Sequence, residues 1–108
     1  MVKKEILISE VSIILVRPHD GLIGFASCIF EDRLYLSDIA IHSTPNGDFR
    51  LVYPSKKINN RNFNIYYPIN KETGKIIQFA IVEKYKEIIS KITRREKNLV
   101  NYDIHTIS

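Results

Sequence analysis

The chain has 108 residues, 44% of them hydrophobic, with a formal net charge of +4 and a pI near 9.2. That apolar share supports a packed core, excludes a disordered chain, and at this length suggests one domain. No run of about 18 apolar residues occurs, so no membrane span is expected, and the basic pI admits an anionic partner without requiring one.

Met1 to Glu5 imitates the charged start of a signal peptide. Ser9, Glu10 and Ser12 interrupt the apolar stretch that follows, and no cleavage site comes after it, so the segment reads as a strand. Glu5 to Arg17 is apolar on both parities, the pattern of a strand covered on two faces or lying in a subunit interface. Pro18 to Gly21 is turn chemistry, and Leu22 to Phe30 is a second two-sided strand. After Glu31 and Asp32, Arg33 to Ser43 forms a third strand. Pro45 to Asp48 carries the Asn-Gly hairpin signal, and Phe49 to Tyr53 is a fourth strand. Pro54 to Arg61 reads as a polar loop. Asn62 to Tyr67 reads as a fifth, half-exposed strand with Phe63, Ile65 and Tyr67 on one face.

Pro68 ends that strand, and Asn70 is a good N-cap for a long helix. Ile77, Ile81, Tyr85, Ile88 and Ile92 recur at helical spacing and mark its buried stripe. Gly74 weakens the first turns by about 1 kcal/mol relative to alanine. The expected fold is α+β, an antiparallel meander of about five strands followed by one long helix. The domain covers residues 1–97. The tail, 98–108, is too short a pattern to assign.

The helix carries the chain's excess charge. Residues 71–97 hold eight Lys or Arg against four Glu, whereas residues 1–70 are nearly balanced. Lys75, Lys86 and Lys97 fall on one flank, and Lys84, Lys91 and Arg95 on the other. Ile76 and Phe79 lie on the polar arc, where a monomer gains nothing from them; they suggest a second subunit or the core of a partner site, and together with the two-sided strands they motivate the expectation of a homodimer.

No catalytic constellation appears. His19, His42 and His105 have no metal-ligand spacing, Cys28 reads as a buried structural thiol, and Asp38 reads as a structural partner for an Arg or for backbone amides. The single cysteine excludes an internal disulfide and suits a reducing cytosol. The basic helix remains, either as a solvated face laced with i, i+4 pairs or as a binding surface.

Tyr53-Pro54-Ser55-Lys56-Lys57, then Phe63, then Pro68-Ile69-Asn70 with Thr73, Ile77, Ala80 and Tyr85, resembles the bacterial SpoVG family (stage V sporulation protein G). Ala26 to Ile29 and Ser37 to Ile41 fall where that family has matching strands. The resemblance implies a small antiparallel sheet with a following helix, a dimer and no enzymatic activity. It also implies direct binding to DNA, in some members also RNA. No metal, cofactor or small-molecule substrate is expected. The expected role is a cytoplasmic regulator of gene expression linked to sporulation, septation or virulence. Lys56 and Lys57 carry over onto the family's Pro-Ser-Lys motif. The chain departs from the family at Gly74 and Ile76, where members usually carry Arg and Lys. The expected nucleic-acid surface is Lys56, Lys57, Arg61, Lys75, Lys84, Lys91, Arg94 and Arg95, with the later helix turns expected nearer the Lys56-Lys57 segment than Lys75 is. The competing reading is a protein-interaction module of cell division that binds no nucleic acid.

Overall fold

The computed structural model describes the backbone of residues 5–107 and the side chains of residues 5–95. Four strands, β1 (Ile8–His19), β2 (Leu22–Phe30), β3 (Leu34–Ser43) and β4 (Phe49–Val52), form an antiparallel meander in that order. A separate two-stranded ribbon, β5 (Ser55–Ile58) and β6 (Arg61–Asn64), follows, and then the helix α1 (Lys71–Ile107). The α+β order read from the sequence is the observed one. The helix also continues through most of the segment that the sequence pattern left unassigned.

Turn chemistry sets the register. Asp20 and Gly21 both take positive φ between the paired His19 and Leu22, the requirement of a tight hairpin whose twist matches its strands. Gly24 is needed for another reason. A Cβ there would sit 2.9 Å from the Ile14 carbonyl oxygen, so β1 and β2 approach too closely for any side chain. β1 and β3 each carry one extra residue at a bulge, near Glu10 and Asp38, and both of those residues have positive φ. Asp38 therefore departs from expectation. It is exposed, it makes no hydrogen bond or ion pair among the described residues, and its place is at a backbone kink.

The segment read as a polar loop is also different. Residues 55–64 form a hairpin with Lys56 opposite Phe63 and Lys57 opposite Asn62. Asn59 and Asn60 both adopt positive φ at its tip, which asparagine tolerates better than most residues. The fifth strand of the sequence reading accordingly ends at Asn64, three residues early. Ile65 and Tyr67 are exposed, and it is Tyr66 that turns inward. Its hydroxyl donates to the Ser37 carbonyl, and its ring meets Tyr53 edge-on at 5.9 Å. A specific hydrogen bond and an aromatic contact thus override simple alternation.

Asn70 caps α1 as expected, its Oδ1 accepting from the Thr73 amide at 2.8 Å. Ile77 and Ile81 are buried against Ile23, Ala26, Ile39 and Ile41. Tyr85 meets Phe49 edge-on at 5.4 Å, and the Gln78 side-chain amide donates to the Phe49 carbonyl at 3.0 Å. That bond occupies an otherwise free acceptor on the edge strand β4. The expected stripe then thins out: Ile88 is half-buried and Ile92 exposed. At 1.5 Å per residue the helix is about 55 Å long. A ten-residue strand such as β3 spans only about 33 Å, so the helix outruns the sheet it covers.

The other face of the sheet has no cover among the described residues. The register aligns Ile14, Phe25, Ala40 and Val52 in one row across all four strands. Ile14 is 70% exposed, and Tyr35, on the same face, 69%. The two-sided apolar pattern of β1 and β2 is thus half used by the helix-covered core and half left open.

Candidate nucleic-acid interface

The eight cations expected at the site fall into three groups. Lys56, Lys57 and Arg61 project from the β5–β6 ribbon, all exposed. Lys56 and Lys57 are adjacent in a strand, so their side chains point to opposite faces of the ribbon. The ribbon is its own sheet, and the helix packs on the four-stranded one.

The second group is built around Glu87. Its Oε1 accepts from Lys91 Nζ at 3.1 Å and lies 3.9 Å from Lys84 Nζ. The Lys91 hydrogen bond, with both lysine charges beside it, holds the Glu87 carboxyl below the usual carboxylate range. This is the solvated-face arrangement of i, i+3 and i, i+4 pairs, and it half-neutralises two of the cations. Arg94 and Arg95 follow one turn on. They share a shallow groove with Ile88, Lys91 and Ile92, and neither has an ion pair among the described residues. Arg95 continues the line of the buried stripe, yet it is exposed because the helix has by then passed beyond its core contacts.

The third group is Lys75, which lies in a groove with Phe79 and Lys86. Lys86 stands on the flank predicted from the spacing of eleven, although it is not among the eight expected site residues. Phe79, on the polar arc in the sequence, is 68% exposed. Gly74 lies against Pro68, with room for a Cβ at 3.5 Å from the proline ring.

Cys28 is fully buried, and burial pushes its thiol pKa up, as expected of an inert structural cysteine. Next to it is a feature that the sequence does not announce: the Tyr53 hydroxyl is buried and has no hydrogen-bond partner among the described residues. Among the described residues no group of three or more His, Cys, Asp or Glu is placed to hold a metal ion. Nor is any described helix long and apolar enough to cross a membrane. His105 lies outside the described side chains.

Residues 6–87 match the family model described as SpoVG. The chain is 31% identical over 90 residues to a protein of Aster yellows witches'-broom phytoplasma, covering 82% of this chain and 90% of that one. It is 33% identical over 92 residues to one of Acetivibrio thermocellus, covering 84% and 97%. A third relative, from Acholeplasma laidlawii, is 34% identical over 83 residues, covering 76% and 87%. All three carry the name "Putative septation protein SpoVG". The matched region takes in the sheet, the ribbon and the buried half of the helix, and with it every residue that seats α1 on the core. The chain belongs to the SpoVG family.

Proposed function

We propose that this chain is a dimeric, non-enzymatic nucleic-acid-binding regulator that acts in the cytoplasm on gene expression linked to septation or sporulation. The observation that carries the reading is the set of exposed cations left without ion pairs among the described residues: Lys75 and Lys86 on one flank of α1, and Arg94 and Arg95 further along it. Cations that merely solvate a helix gain from i, i+3 or i, i+4 partners, as Lys84 and Lys91 do with Glu87. Unpaired ones are available to phosphates, which they contact with release of counterions. Membership of a family whose relatives are named for septation is consistent with this role. The dimer rests on the open sheet face. A row of apolar side chains across four strands is costly to leave in water and suits a second copy.

Binding to mixed-sequence DNA and RNA over a range of salt tests the reading. Affinity should fall steeply with salt, and light scattering should give about twice the 12.6 kDa chain mass. The competing reading, a protein-interaction module, is favoured by the same apolar face. It predicts no salt-dependent binding to either nucleic acid.

A further inference from the structure

On the side of α1 away from Ile77 and Ile81, Lys75, Phe79 and Lys86 stand in one row. Their spacings of four and seven residues put them on one helix face. Neither lysine has an ion pair among the described residues. Phe79 is a large ring left 68% exposed where the core makes no use of it. The row lines a groove of about 700 Å³ shared with Gly47 and Asp48 of the β3–β4 turn, and Glu83 lines it too.

We propose that this groove binds single-stranded nucleic acid, with a base stacked on Phe79 and backbone phosphates at Lys75 and Lys86. The inference rests on the nucleic-acid reading above and adds the strandedness and the contact. Eleven residues of helix separate the two lysines by about 16 Å along the axis, so a strand that reaches both must pass the ring. An aromatic face is a sequence-tolerant platform for an unpaired base. A duplex offers it none, because its bases stack on each other and expose only their edges. The two carboxylates decide the orientation. Asp48 and Glu83 repel phosphate, which drives the backbone to the lysine ends, and they accept hydrogen bonds from base amino groups. Gln78 adds a further acceptor, since its Nε2 is already donated to the Phe49 carbonyl and its Oε1 remains.

The test uses the full chain with Phe79→Ala and Phe79→Trp. The probes are a mixed-sequence oligonucleotide of about 12 nucleotides, as DNA and as RNA, and the same sequence as a duplex. The sequence contains no tryptophan, so Phe79→Trp places a sole reporter at the platform. Single strands should quench its fluorescence and the duplex should not. Phe79→Ala should weaken single-strand binding about tenfold and leave duplex binding unchanged. Because the ring is exposed, both variants should keep the parent melting midpoint. If single strands bind Phe79→Ala as well as the parent, or saturate Phe79→Trp without quenching, the groove is not the site and the wider nucleic-acid reading stands. If the parent binds neither single strands nor duplex, both fall. If Phe79→Ala keeps its strand binding but scatters as a monomer where the parent is a dimer, the groove is a subunit interface and the proposal is overturned.

Discussion

The inner and outer rows of α1 obey different rules. Inside, Ile77 and Ile81 are buried on a sheet of Ile23, Ala26, Ile39 and Ile41, and each position is fixed by what it touches. Outside, Lys75, Phe79 and Lys86 touch little of the core, so packing does not dictate them. Residues on the inner row report how the chain folds. Residues on the outer row are free of that constraint, and their chemistry is the better guide to what the chain meets. The comparison predicts that the two rows separate in experiment, with stability following the inner one and binding the outer one.

The largest stability effect should come from the inner row. Ile81→Ala removes a fully buried side chain and should cost about 3 kcal/mol in chemical denaturation, with the salt dependence of the folded fraction unchanged. A loss below about 1 kcal/mol would mean that the helix is not seated as described. Tyr53 offers a gain. Tyr53→Phe removes a buried hydroxyl that has no partner among the described residues, and should stabilise by about 1 kcal/mol.

The same residue predicts a pH response. Burial, aided by the nearby Cys28, pushes Tyr53 and Tyr66 up to about 12, against about 10 in the unfolded chain. The folded state then holds protons that the unfolded state releases. Stability should be level below about pH 9 and decline from about pH 10 towards 12. Urea titrations across that range should show the decline, and Tyr53→Phe should make it shallower. Cys28→Ala should cost about 1 kcal/mol and leave nucleic-acid binding intact. Smallest is Gly74→Ala, which meets only the Pro68 ring at an ordinary distance and should stabilise the first helical turns by about 0.5 to 1 kcal/mol.

What the sequence reveals follows from how local the cause is. The helix cap at Asn70, the hairpin at Asp20-Gly21, and the stripe through Ile77 and Ile81 are set by neighbours in the chain, and all are legible there. The β5–β6 ribbon is hidden because Asn59-Asn60 is a weaker turn signal than Asn-Gly and because the lysines disguise a short strand. Tyr66 turns inward for a carbonyl 29 residues away, which no period reveals. Asp38 breaks an apolar strand in the sequence, but only the register of β2 against β3 exposes it as a bulge. The cations of the candidate site are visible in the sequence, but their sorting into Glu87-paired and unpaired members is not, because helical spacing alone offers each several partners. The groove beside Phe79 depends on where the β3–β4 turn comes to rest, which is a tertiary outcome.

Cations of α1 that contact phosphate must leave a mark on the salt dependence of binding. Changing Lys91, Arg94 and Arg95 together to Gln tests this most directly, because all three are exposed and none contributes to the core. The variant should fold and dimerise as the parent does. The slope of log affinity against log salt should flatten by about one for each phosphate contact removed, similarly for all sequences. A folded, dimeric variant with an unchanged slope would show that these cations do not contact phosphate and leave the basic helix as a solvated face.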